Sequence, residues 1–168
     1  MTDQVFALYT QNGYAGDLVD SGPRVIQTGK LTSANAGFGK AMKRDTSIAR
    51  GIALGSAEIS TSSTTNVHAI SQREYNHEAG TRPTDGTDFG YNITESVSLI
   101  RQGFLYIKLR DHAVTIGEAL VIEEATGEFV GGAVAAGTVA GESVALNIFS
   151  EEDGIAGDVI KVRIDIVA

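Results

Sequence analysis

From residue 159 to 167 the chain reads Val-Ile-Lys-Val-Arg-Ile-Asp-Ile-Val. Ile160, Val162, Ile164 and Ile166 fall on one side of an extended backbone, and Lys161, Arg163 and Asp165 on the other. Strict alternation marks a strand with one dry face and one wet face. Its β-branched residues lose side-chain freedom in a helix, which disfavours that alternative. Four aliphatic side chains on one face need a second layer to bury them, so this stretch predicts a β core.

The preceding residues supply candidates for that layer. Val97 and Leu99 alternate with Ser96 and Ser98. After Gly103, Leu105, Ile107 and Leu109 alternate with Phe104, Tyr106 and Lys108. Ala119–Ile122 reads as a short apolar strand, Thr126-Gly127-Glu128 as a tight turn, and 129–134 as another strand. Residues 143–149 alternate again, with Val144, Leu146 and Ile148 expected on one side. Gly-Glu recurs at residues 117, 127 and 141, with Gly157-Asp158 as a variant, which reads as turn chemistry repeated before strands. Short strands spaced about ten residues apart are the sequence form of a small all-β sandwich or barrel, jelly-roll-like or β-tulip-like.

The first third is different. Twenty glycines in 168 residues exceed the average of about 7%, and several loosen this region. Asp20-Ser21-Gly22-Pro23 is a turn, and Val25-Ile26 begins a short strand ending at Gly29. Between residues 30 and 58, Lys30, Lys40, Lys43, Arg44 and Arg50 stand among small residues without periodicity. Such a stretch is expected to order on a partner rather than on itself. The expected organisation is an extended, weakly basic, glycine-rich N-terminal arm over 1–58, then a β body over 59–168. In that body, 59–95 is a polar loop region and 96–167 holds the regular strands. Ser71-Gln72-Arg73-Glu74 matches a capping box and predicts a short helix over 72–79 closed by Gly80. Residues 59–66 suit an exposed strand or loop, and 80–92 a loop.

Charge follows the same division. Residues 1–58 hold six basic and five acidic side chains, and residues 59–168 hold seven and sixteen, giving −8 in all. An acidic body argues against nucleic acid, whose phosphates require lysine and arginine. There is no apolar run near the roughly 18 residues of a membrane span. The opening Met-Thr-Asp-Gln lacks the basic start of a signal peptide, and the chain has no cysteine. Both features fit synthesis in a reducing cytoplasm.

Chemical motifs are sparse. Gly29-Lys30 and Gly39-Lys40 are followed by Leu31 and Ala41, where a phosphate loop requires Ser or Thr. His68, His77 and His112 lack metal-ligand spacing. Glu123 and Glu124 are adjacent, so on a strand they point to opposite faces. Glu151-Glu152-Asp153 lies in an expected turn, with loop calcium as a minor reading. Gly55-Ser56-Ala57 lacks the frame of a nucleophile elbow, and the glycosylation sequon at Asn92 carries no weight without secretion. No catalytic, cofactor or metal residue is assigned, and no enzyme activity is expected. Two alternatives stay open. Asp17–Arg24 faintly resembles the substrate loop of trimeric dUTP pyrophosphatases, without its tyrosine or serine-rich phosphate motif. Tyr75, Tyr91 and Tyr106 leave room for a carbohydrate- or receptor-binding β module on a virion.

Residues 14–18 (Tyr-Ala-Gly-Asp-Leu), Asp20-Ser21-Gly22, Ala36–Ala41 and Ala49–Gly55 resemble the structural cement proteins of tailed bacteriophages, also called capsid decoration proteins. Gly117–Leu120, Ala136-Gly137-Thr138 and the final strands add to the likeness. The resemblance implies a virion structural protein on the outer surface of the major capsid protein lattice. There it would bridge neighbouring capsomers as a homodimer or homotrimer at local symmetry axes. It also implies a basic arm lying on the lattice, with Lys40, Lys43, Arg44 and Arg50 as docking candidates.

Overall fold

The computed structural model describes residues 13–19, 23–33, 36–55, 64–74, 90–132 and 141–165. Strands β1 (Val25–Leu31), β2 (Ala36–Gly37), β3 (Ala41–Asp45), β4 (Gly51–Leu54), β5 (Thr64–Thr65) and β6 (Ala69–Ser71) come first. They are followed by β7 (Gly90–Tyr91), β8 (Ser96–Lys108), β9 (Ala119–Glu123), β10 (Phe129–Gly132), β11 (Glu142–Ser150) and β12 (Val159–Ile164). The fold is all-β, with no helix among the described residues.

The main sheet runs β1-β4-β3-β6-β8-β12-β11-β9-β10. β1 also pairs antiparallel with β8, which closes β1, β4, β3, β6 and β8 into a barrel. At the other end, β10 returns to the end of β8 through the Leu109–Phe129 bridge. β8, 13 residues long, therefore serves both halves. The expected terminal strand is present as β12, with Ile160, Val162 and Ile164 buried, and it lies centrally between β8 and β11.

Two apolar clusters fill the halves. Leu31, Met42, Ile52, Ala69, Val97 and Leu99 are among the residues of one. Ile100, Leu105, Ile107, Phe129, Ile148 and Val162 are among those of the other. β8 reaches both through a bulge. Val25 pairs with Gln102 and Ile26 with Ile100, leaving Arg101 as an extra residue on β8. One extra residue exchanges the faces of everything beyond it. Odd positions Val97 and Leu99 thus face the first cluster, and odd positions Leu105 and Ile107 the second.

Several expectations are corrected. The stretch 30–58 orders on its own chain wherever it is described: β3 pairs with β4 and β6, and Leu31, Ala36, Ala41 and Met42 are fully buried. The signal missed there is that β3 buries consecutive residues, Ala41 in one cluster and Met42 in the other. Ala36-Gly37 is a strand pairing with Gly90-Tyr91, inside the expected loop. Ser71, the expected helix cap, ends β6; its hydroxyl donates to the Gly37 carbonyl and accepts from the Lys40 amide. Residues 72–74 are not helical, and 75–80 lie outside the described residues. β11 turns the other way: Ser143, Ala145 and Asn147 are buried, and Leu146 is 52% exposed. Asn147 is held inside because its amide accepts from Val67 N at 3.0 Å and donates to Val67 O at 2.8 Å, replacing a strand partner. Only Thr64-Thr65 of 59–66 is described in full as strand, pairing parallel with β11. The turn at 20–22 and the strand end at 133–134 lie outside the described residues.

Candidate functional site

The four docking candidates do not form one patch. Lys40 Nζ lies 2.7 Å from Glu128 Oε1, so its charge is committed within the chain. Lys43 and Arg44 are consecutive on β3 and point to opposite faces. Lys43 is half-buried and Arg44 exposed. Arg50 is exposed in the β3–β4 turn with φ of 60°, and its carbonyl accepts from Lys30 N at 2.9 Å. Arg44 instead lies within electrostatic reach of His68, as does Arg101, whose Nε donates to the His68 carbonyl. Burial, then the charges of Arg101 and Arg44, push the His68 imidazole below its ordinary value. Among the described residues, no carboxylate pairs with Arg44 or Arg101.

A second cationic centre is saturated. Arg110 follows β8 and reaches Asp111 at 2.5 Å, Glu123 at 2.5 Å, Glu128 at 3.2 Å and Glu142 at 3.4 Å. Asp111 first, then Glu128 and Glu123, raise its already high pKa despite the cost of burial. With Lys40 on Glu128, this network ties the start of β3 to the 123–128 turn. The same junction is sealed by backbone, with Ala41 N donating to Gly127 O and Gly55 N to Ala41 O.

The acidic turns serve the fold. Glu118 accepts from Thr115 N at 3.0 Å, and Asp158 from Ile155 N at 2.9 Å. Gly117 and Gly157 carry φ of +82° and +90°, as the third position of a type II turn requires. The two turns are equivalent about a local pseudo-twofold: Gly117 N donates to Ser150 O, Gly157 N to Leu109 O, and Val114 and Gly154 exchange both bonds. Glu123 goes to Arg110 while Glu124 takes the Ser143 hydroxyl, on separate sides as expected. Among the described residues, no three His, Asp or Glu side chains are grouped to hold a metal.

One open concavity among the described residues is a cleft of about 520 Å³ lined by Tyr14, Ala15, Phe38, Arg73, Lys108, Gly157 and Val159. Sequence reasoning missed it, because it is assembled from five separate stretches. The Arg73 guanidinium stacks on the Tyr14 ring at 4.0 Å and stands 3.8 Å from Asp17. Asp17, weighed as a nucleotide-loop residue, instead accepts from Tyr14 N at 2.9 Å within its own turn. Tyr91, weighed as a sugar platform, is fully buried; its hydroxyl donates to Gln72 O at 2.7 Å, and burial pushes its pKa up. His112 is exposed, and His77 and Tyr75 lie outside the described residues.

Strands closed around two apolar clusters, with carboxylates given over to turn caps and ion pairs, define an all-β structural module. Its fold is similar to that of a chain in the structure described as "The capsid of Myoviridae Phage XM1", with TM-score 0.67, 17% identity and 96% of each chain covered. No curated protein matches the chain. A family described as structural cement protein (E217 gp24/Pam3 gp6) matches residues 1–165, and the chain belongs to that family of phage proteins. Membership gives it a structural role in the phage capsid and a place in the virion.

Proposed function

We propose that the protein fastens the shell from outside, docking on the outer surface of the major capsid protein lattice and bridging neighbouring capsomers as a homodimer or homotrimer. The carrying observation is the exposed Arg44, within electrostatic reach of His68 as Arg101 is, and kept like Arg101 without a carboxylate partner among the described residues. In a chain of net charge −8 these cations form a local positive surface that complements an acidic partner. Arg50 follows in the β3–β4 turn, while Lys43 points to the opposite face of β3. Lys40 contributes by holding the 123–128 turn in place.

Addition of the purified protein to expanded empty shells that lack it tests this reading. The parent is expected to decorate such shells. Arg44→Glu with Arg50→Glu is expected to weaken decoration roughly tenfold at low salt and less at high salt, as for a screened interface. Unchanged decoration by the double variant overturns the docking assignment. Failure of the parent to add to any shell overturns the fastening role itself.

A further inference from the structure

We propose that the cleft framed by Tyr14, Arg73 and Lys108 is a second docking site, which receives an acidic, apolar-bearing peptide segment of a shell subunit. The inference rests on the shell-fastening reading and adds a surface that shares no residue with the Arg44 patch.

Three observations carry it. First, Tyr14 is 53% exposed and yet firmly placed. Its turn is closed by Tyr14 N on the Asp17 carboxylate and Asp17 N on Tyr14 O. The turn is then pinned to β8 by Gly16 N on Tyr106 O, and to the end of β6 by Arg73 N on Gly16 O. At Gly16, with φ of +86°, a β-carbon would stand 2.8 Å from Arg73 N, so the turn fits tightly against that segment. An exposed ring held this way loses little freedom when a partner covers it, which is how aromatic anchors gain affinity. Second, the floor is rigid and apolar: Phe38 packs edge-on against buried Tyr91 at 5.4 Å and 89°. Third, the cations lining the cleft, Arg73 and Lys108, stand in an acidic chain. Lys108 is exposed, and no carboxylate pairs with it among the described residues. An aromatic face, an apolar floor and positive charge are complementary to an extended segment carrying an apolar side chain beside Asp or Glu.

The experiment is decoration of expanded empty shells by full-length variants, with a photo-crosslinking residue placed at position 14 in a parallel arm. Tyr14→Ala and Lys108→Glu are each expected to weaken decoration about tenfold, with Tyr14→Phe close to the parent. Both side chains lie at the surface, so thermal melts of all three variants should match the parent's within about 2 °C. The crosslinker should join a shell subunit through a fragment containing Asp or Glu. Decoration within twofold of the parent for both Tyr14→Ala and Lys108→Glu overturns the inference while leaving the fastening role intact. A cross-link to a second copy of this chain, or to a fragment without acids, also overturns it. Loss of decoration by the parent itself removes the reading beneath it instead.

Discussion

At Gly55 the backbone φ is +102°, and a β-carbon there would stand 1.8 Å from the Glu124 carbonyl oxygen. Both conformation and space therefore require glycine. Gly55→Ala is expected to cost about 3 kcal/mol or more in urea denaturation, since a strained φ and a backbone clash add. Gly117 is the control. Its φ of +82° is similar, but nothing lies within 4 Å of its missing β-carbon, so Gly117→Ala should cost only about 1 kcal/mol. Equal losses for the two would show that contact with the 123–128 turn contributes nothing. Asn147 is the polar counterpart. Its amide satisfies both backbone groups of buried Val67, so Asn147→Leu should lose about 2–4 kcal/mol despite similar volume. Alternation placed Leu146 inside, because period-two reasoning counts apolarity and cannot see a side chain acting as a strand partner. The local signals that were legible are the turn glycines: Glu118 and Asp158 after them cap their turns, whereas Glu128 and Glu142 go to Arg110 instead.

At the scale of elements, the bulge at Arg101 explains why one strand serves two clusters. The sequence shows two alternating runs separated by Gly103; the structure joins them into one strand with its faces exchanged. Deleting Arg101 removes the extra residue and leaves Leu105 and Ile107 on their cluster's face in a uniform register, whereas deleting Arg101 and Gln102 together turns them away. The single deletion is expected to keep a cooperative thermal transition and the double deletion to abolish it, while Arg101→Ala should keep the melting temperature within about 3 °C. A folded double-deletion variant with dispersed amide resonances would mean that the sheet slips without penalty. From residue 96 onward, β8 and β12 were legible from alternation, and β9 and β10 as short apolar runs bounded by turns. β2, β6 and β7 were not, since two or three residues hold no period. Their strand state comes from partners far along the chain: Ala36 from Tyr91, and Ile70 from Ile100. The cleft is hidden for the same reason, as its aromatic and cationic walls meet only after Gly16 docks on Tyr106.

For the whole molecule, the junction between its halves is electrostatic as well as packed, and its pH dependence has a definite sign. Burial pushes the Glu128 carboxyl up, but the hydrogen bond and charge of Lys40, then those of Arg110, outweigh it and leave it below its ordinary 4.5. A depressed folded value means the unfolded chain takes up the proton first, so this stabilisation is complete above about pH 4.5 and fades as pH falls through the folded value. Asp45 has the same sign in a lower window, held at about 2 against 3.8 by bonds from Ser47 and Thr32. His68 has it in a higher one. Burial, then Arg101 and Arg44, favour its neutral ring, so stability declines as pH drops below 6.5. The melting temperature should therefore fall in stages from pH 7 to pH 2. Glu128→Gln isolates the middle stage, because it removes the charge and keeps the shape. The variant should melt below the parent at pH 7 and converge with it as pH falls from 4.5 through the folded value, where the parent's own carboxylate takes up its proton. Parallel melting curves across pH 6 to 3 would show that the Lys40–Glu128–Arg110 chain of charges does not bind the two halves together.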